Sequence, residues 1–356
     1  MDKILLEDCC EILDSMRVPI TSSDRVEGPY PYYGANGIQD HVSDYIFDDE
    51  LVLLAEDGGN FGSKERPIAY RVSGKCWVNN HAHVLKPKEG LDVDYLCYSL
   101  MFYNVGGMVN GATRQKLTQA AMRQMLIPKR TMEEQKHIVE LLAKVVAVRE
   151  KRQQELDKLD NLIKARFVEL FGDVATEDYK YGTKKLGDVA EVGSSHRVFT
   201  SEFVEDGIPF YRGTEIGELA NGQKPSDPYY ISKEHYNRLA NDETKPIVGD
   251  LLMPSICNRG QVWMVDTEEP FYYKDGRVLC ISPDREIYNP KYLQYFMKVK
   301  TEVEYPKMGS GSTFAEFKIF LLKNFDILTP PRRIQDEFTA FADQVDKSKV
   351  VDIKAA

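Results

Sequence analysis

The chain says nearly the same thing twice. Pro31-Tyr32-Tyr33-Gly34-Ala35-Asn36-Gly37-Ile38 returns as Pro209-Phe210-Tyr211-Arg212-Gly213-Thr214-Glu215-Ile216. Gly111-Ala112-Thr113 returns as Gly311-Ser312-Thr313, and Pro128 with Glu134-Gln135 returns as Pro330 with Ile334-Gln335. Each copy runs in the same order: an aromatic turn, a strand-rich stretch, a Gly-Thr loop, then a proline opening a helix. The spacing between copies grows along the chain, so they differ by loop insertions. Two similar but unequal modules suit a reader of two related half-sites. A single catalytic pocket needs no such duplication.

A length of 356 residues suggests roughly two to three domains, and the repeat resolves this to two. A module of ~130–150 residues can bury an ordinary hydrophobic core. No run approaches the ~18 apolar residues of a membrane span, and the start Met1-Asp2-Lys3-Ile4 lacks a signal-peptide profile. The six cysteines show neither metal-ligand spacing nor a framework of matched loops. They read as buried thiols, and the chain as a cytoplasmic protein with no membrane partner. The net charge of −10 argues against a free-standing nucleic-acid binder, which is usually basic. Segregated charge, or phosphate contacts supplied by partner subunits, answers that objection.

Residues 1–130 read as a mixed, mostly β module, with helices at Leu91–Tyr103 and Leu117–Met125. From Met132 to Phe171 there is neither proline nor glycine. Apolar residues recur there as Ile138, Leu141/Leu142, Val145, Val148, Leu156, Leu159, Leu162/Ile163, Phe167 and Leu170, a near-heptad stripe. Thr131 with Glu134 forms a capping-box pattern and Gly172 is a plausible terminator. At 1.5 Å per residue the helix is ~60 Å long. Residues 174–330 repeat the module, with strands at Asp250–Met253, Val262–Val265 and Val278–Ile281 and helices at Pro290–Val299 and Ala315–Leu322. A second, shorter helix of at most ~35 Å begins at Arg332.

Each chemical motif has a blander reading that is preferred. His81-Ala82-His83 has the spacing of a metal pair on one strand face, but no carboxylate or thiol sits at a matching offset, so a strand-border pair is favoured. Asp227-Pro228-Tyr229-Tyr230 is like the base-gripping loop of amino-methyltransferases but lacks its second proline; it reads as a surface turn. Neither Gly58-Gly59-Asn60-Phe61-Gly62 nor Gly309-Ser310-Gly311-Ser312-Thr313 continues into a phosphate-binding P-loop. Pro283-Asp284 with Glu316-Phe317-Lys318 imitates a nuclease pattern that arises easily by chance, and Glu316 falls on an expected helix. The polar loop residues are more telling. Arg, Lys, Asn and Gln read base edges and phosphates best from loops on a rigid scaffold. By residue type and repeat position, Tyr32, Asn36, Arg114, Lys116, Arg197, Arg212, Arg259 and Ser312 are the candidate DNA contacts.

The chain closely resembles the DNA specificity (S) subunit family of type I restriction–modification systems. The resemblance rests on Ile127-Pro128 followed by Glu133-Glu134-Gln135-Lys136-His137-Ile138-Val139, on Leu159-Asp160-Asn161-Leu162-Ile163-Lys164-Ala165-Arg166-Phe167-Val168-Glu169-Leu170-Phe171-Gly172-Asp173, and on Lys185-Leu186-Gly187-Asp188-Val189-Ala190. It covers essentially the whole chain. It implies an α+β protein with two target-recognition domains, 1–130 and 174–330, related by a pseudo-twofold axis. They are joined by a spacer helix over 131–173, against which a shorter helix in 331–356 packs antiparallel. It further implies a non-catalytic subunit on double-stranded DNA, each domain reading half of a split, asymmetric target. Two methyltransferase subunits, and in a nuclease form motor-nuclease subunits, dock around it. S-adenosylmethionine, ATP and Mg²⁺ belong to those partners. The readings set against this one are an enzyme with its own nuclease or methylase activity, and a helical protein-only adaptor. The short second helix departs from the family pattern. It leads to the expectation that Leu156, Leu159 and Ile163, left uncovered, pack against a recognition domain or a second copy of the chain.

Overall fold

The structure, a computed structural model, describes residues 2–111, 114–240, 244–308 and 315–354, and of 350–354 the backbone only. The chain folds as two compact units, Met1–Arg152 and Gln153–Ala356, so the division falls inside the long helix.

The repeat is written into the hydrogen bonds. In the first unit the buried Gln135 accepts the Asp92 N–H at 2.8 Å and donates to the carbonyls of Gly90 at 2.8 Å and Arg130 at 3.0 Å. In the second, the buried Gln335 accepts the Asn289 N–H at 2.8 Å and donates to the carbonyls of Ile287 at 3.0 Å and Pro330 at 2.9 Å. The Leu6 amide donates to Met125 at 2.8 Å, as Leu186 does to Phe325; the Leu117 amide donates to Glu56 at 2.7 Å, as Phe317 does to Ser255. These bonds fix the register: Glu56 corresponds to Ser255, Leu117 to Phe317, and Gln135 to Gln335.

The first unit holds a six-stranded sheet in the order Cys10–Ile12, Ala82–Pro87, Phe47–Ala55, Ala69–Val78, Tyr30–Gly34, Gly37–Val42. All neighbours are antiparallel except Tyr30–Gly34, which runs parallel to Ala69–Val78. From Leu51 to Ala55 the central strand is buried on both faces, as its unbroken apolar run requires. Helix Val93–Met101, opened by the Asp92 carboxylate accepting the amides of Asp94 and Tyr95, packs on it through Leu96 and Leu100.

In the second unit that single sheet becomes two. One has the order Ala190–Gly193, Val278–Pro283, Leu251–Pro254, Trp263–Met264, and the other Phe203–Val204, Tyr229–Ile231, Ile208–Tyr211, Tyr272–Tyr273. The long strand Ala69–Val78 thus has two short counterparts, one pairing with Leu251–Leu252 and one parallel to Phe210–Tyr211. Between them stands Pro270, which has no amide hydrogen to continue a ladder.

The expected helices form as Val93–Met101, Gln119–Arg123, Pro290–Glu304 and Ile319–Lys323. The last starts late, because the Phe317 amide is committed to the Ser255 carbonyl. Glu316 therefore lies ahead of the helix and not on it. The two aromatic turns also diverge. After Tyr33 the chain makes a hairpin that uses Gly37 at φ 106°, whereas after Tyr211 it enters helix Gly213–Ala220, where Glu215 accepts the Arg212 N–H at 2.7 Å.

The long helix spans Met132–Phe171, as its composition predicts. Its capping box is present: the Thr131 amide donates to Glu134 at 2.8 Å and the Glu134 amide to Thr131 Oγ1 at 3.3 Å. Gly172, at φ 91°, ends it where a Cβ would stand 2.0 Å from the Asp178 carbonyl. Within the second unit its distal part runs antiparallel to helix Arg332–Lys354, since Arg166 pairs with Glu337 at 2.6 Å while Asp160 pairs with Lys349 at 2.6 Å. Phe338 meets Phe167 and Phe171 edge-on, with centroids 5.3 and 5.5 Å apart. Leu159 and Ile163 pack into the core that residues 174–330 share with helix Arg332–Lys354, the first of the two covers expected for them, whereas Leu156 is half-buried and outside that core. The exposed members of the stripe are mostly the proximal ones, Leu141, Leu142, Val145 and Val148, with Leu162 beside the covered Ile163. Periodicity located the stripe, while tertiary packing decides which half is buried. Among the described residues no helix is long and apolar enough to cross a membrane.

Candidate nucleic-acid interface

In the first unit three segments converge just past the end of strand Phe47–Ala55. The amides of Glu56 and Asp57 donate to the His81 carbonyl at 2.8 and 3.3 Å, and the Gly58 amide donates to Gln115 at 3.0 Å. Asp57 bridges Lys116 in antiparallel fashion. On this short stretch meet three of the residues singled out in the sequence. Asn36 Nδ2 donates to the Gly58 carbonyl at 3.0 Å, Arg114 Nε lies 2.8 Å from Asp57, and Lys116 Nζ lies 3.1 Å from Glu56. Gly58 sits at φ 70°, and a Cβ there would come within 3.1 Å of the Arg114 guanidinium. The cations remain reachable: Arg114 and Lys116 side chains are 59% and 50% exposed. Each leans on a carboxylate from which a polyanion can draw it away.

Tyr32 does not join them. It is 1% exposed, its hydroxyl accepts the Ile20 amide at 3.0 Å, and Arg25 covers its ring at 4.4 Å. Its place in the parallel strand pair corresponds to Phe210, also buried, so it is a core residue.

Beneath the interface lies a charged cluster that sequence spacing does not reveal. His81 and His83 part company: His83 turns inward, where its Nδ1 is 2.7 Å from Asp14 and 3.5 Å from Glu56. Asp14, Glu56 and His83 have donor atoms within 4.8 Å of one another, a spacing that suits a metal ion. Other groups already occupy those lone pairs. Arg17 Nη1 donates to Glu56 at 2.6 Å and to the Ala82 carbonyl at 2.8 Å; Gln119 Nε2 and the Val84 amide donate to Asp14 at 2.8 and 2.9 Å. Burial alone would raise both carboxyls, but hydrogen bonds from His83, Gln119 and Val84 hold Asp14 below its ordinary value, and those from Arg17 and Lys116 do the same for Glu56. The cluster therefore reads as an ion-paired mount under the loop that carries Lys116.

The corresponding place in the second unit is built from different side chains. The Ser255 amide donates to the Arg277 carbonyl at 2.8 Å, as Glu56 does to His81, so Arg277 is the counterpart of His81. Arg277 pairs with Glu316, which also takes Lys318 at 2.6 Å. Arg212 pairs with the buried Glu215 and stacks on Tyr229 at 4.2 Å. Arg212, Thr214, Ser255, Gln261, Lys274 and Arg277 line an open depression of about 440 Å³. Arg197 is exposed and lies 3.3 Å from Asp275. Arg259 is exposed on the turn whose backbone N–H donates to Gln261 Oε1 at 3.1 Å. Ser312 lies outside the described residues, as do Ala112 and Thr113 of the first Gly-Thr loop and the whole of the second. Sequence reasoning missed Lys274, Arg277 and Gln261.

The sequence matches the family described as type I restriction modification DNA specificity domain over residues 1–160 and 177–355. A Haemophilus influenzae protein named as a type I restriction enzyme specificity subunit is 31% identical over 346 residues, 95% of this chain and 86% of that protein. The fold matches the S subunit of a type I restriction–modification system from M. genitalium with a TM-score of 0.53 at 13% identity, covering 99% of this chain and 91% of that one. It also matches, with a TM-score of 0.53 at 18% identity, a chain from a structure concerning complex assembly and conformational transition of the type I system, covering 99% and 92%.

Proposed function

We propose that this chain, which belongs to the type I restriction–modification DNA specificity family, reads a bipartite, asymmetric DNA target, one half with residues 1–130 and the other with residues 174–330. It does no chemistry of its own. Two methyltransferase subunits, and in a nuclease form motor-nuclease subunits, gather around its helices in a prokaryotic cytoplasm and bring S-adenosylmethionine, ATP and Mg²⁺. One observation carries this reading. The same hydrogen-bonded frame occurs twice, and just past the strand ends at Ala55 and Pro254 it presents exposed cations on side chains that differ between the copies. One frame with two sets of side chains is what two different half-sites require, and it reconciles an acidic chain with a polyanionic ligand.

The test is to map methylated adenines genome-wide with and without the gene. A two-part motif that vanishes with the gene is expected, and an Arg114→Ala, Lys116→Ala chain should alter one part alone. A contiguous motif, or a motif indifferent to those changes, refutes the reading.

A further inference from the structure

We propose that His83 and Asp14 are positioning residues for DNA reading by the first unit: the buried His83 ring, bonded to Asp14 on one side and to the loop carrying Arg114 and Lys116 on the other, holds that loop in its reading position. This rests on the function proposed above.

The ring of His83 is 0% exposed. Its Nε2 is 2.9 Å from the Leu117 carbonyl and its Nδ1 is 2.7 Å from Asp14 Oδ2. A carbonyl oxygen only accepts, so Nε2 carries a hydrogen. Nδ1 faces Asp14, whose carboxyl hydrogen bonds hold below its ordinary range. The charged groups around the ring are Asp14, Glu56, Arg17 and, through Glu56, Lys116. Arg17 still pairs with Glu56 when Lys116 leaves it for a phosphate.

The loop is tied to this mount at several points. His83 holds the Leu117 carbonyl, Asp14 takes Gln119 Nε2 at 2.8 Å, and Glu56 takes both the Leu117 amide, through its carbonyl, and Lys116 Nζ. The second unit does the same work without charge. Leu54 pairs with His83 in the first sheet and Met253 with Leu279 in the second, which makes Leu279 the counterpart of His83. Leu279 and Phe317 belong to one apolar core. A polar, charged mount is thus peculiar to the first unit, and only its half of the target should respond to loss of the His83 ring.

The test uses the chain assembled with its methyltransferase subunits, on DNA bearing single-base changes in either half of the target. The half read by the first unit is the one whose methylation Arg114→Ala alters. Dividing the first-half mismatch penalty by the second-half penalty cancels effects common to both halves. We expect that ratio to shrink about tenfold in His83→Leu, which installs the second unit's residue, and to recover in part in His83→Gln, whose amide can still donate to the Leu117 carbonyl. Lys116→Ala should lower the salt slope of binding by about one in the parent and leave it unaltered in His83→Leu. Should His83→Leu fail to fold, Asp14→Asn, which should shrink the ratio likewise, decides. A parental ratio kept in His83→Leu or in Asp14→Asn overturns the proposal and leaves the two-half reading standing. Loss of discrimination in neither or both halves on Arg114→Ala would instead overturn the two-half reading.

Discussion

Replacing Gln335 by leucine keeps roughly its volume and removes every polar atom of the side chain. The Asn289 N–H then loses its acceptor, and the carbonyls of Ile287 and Pro330 lose their donor. An orphaned buried donor costs about 1–3 kcal/mol, and each carbonyl less, because it has a second lone pair to place, so the loss should be about 3 kcal/mol. Gln335→Glu should be worse. It retains the Asn289 bond but sets a buried negative charge against two carbonyl oxygens. Gln135→Leu should cost less than Gln335→Leu, because Arg130 is half-buried where Pro330 is buried, and water can replace that bond. Urea unfolding of the parent and the three variants gives the differences directly. In a unit of about 200 residues the Gln335→Leu loss corresponds to a drop in Tm of about 10 °C. A Gln335→Leu chain within about 0.5 kcal/mol of the parent, or a Glu variant steadier than the Leu variant, would refute the argument that this amide ties helix to module.

Phe338→Ala should cost about 3–5 kcal/mol, since its ring is buried against Phe167, Phe171 and Tyr295. Val145→Asp, on the exposed proximal stripe, should stay within about 0.5 kcal/mol in the isolated chain, and equal urea midpoints for the two would sink the assignment of covered and uncovered halves. Asp14 and Glu56 titrate below their ordinary values of 3.8 and 4.5, so the stability they contribute is complete at neutral pH and is lost as the pH falls below those values. Asp14→Asn should accordingly flatten the acid limb of the stability profile, and an unchanged limb would count against the ion-paired mount. Lys116→Ala should weaken binding to all DNA sequences alike, while Arg277→Ala should relax preference at a base position; a sequence-selective effect of Lys116 would reverse these roles.

The long helix was legible because its signals are local: an absence of Gly and Pro, a capping box, and a glycine at its end. The repeat was legible through Gln135 and Gln335, each of which follows a proline shortly before its helix in both copies. Contacts between remote segments were not. Asp14 and His83 meet because Cys10–Ile12 and Ala82–Pro87 are neighbouring strands, and no periodicity along the chain announces that pairing. Tyr32 sits among turn-forming residues yet lies inside the sheet, where its neighbour Ala69–Val78 buries it. The interface shows the same division most sharply. Backbone bonds make Lys116 the counterpart of Glu316, and His81 the counterpart of Arg277. In the first unit the loop supplies the cation and the strand end supplies the carboxylate Glu56. In the second the loop supplies the carboxylate Glu316 and the opposing turn supplies the cation Arg277. The frame is indifferent to this exchange, because it is held by main-chain bonds and by the buried glutamines. Side chains at its rim are therefore free to differ between the two copies without refolding the module.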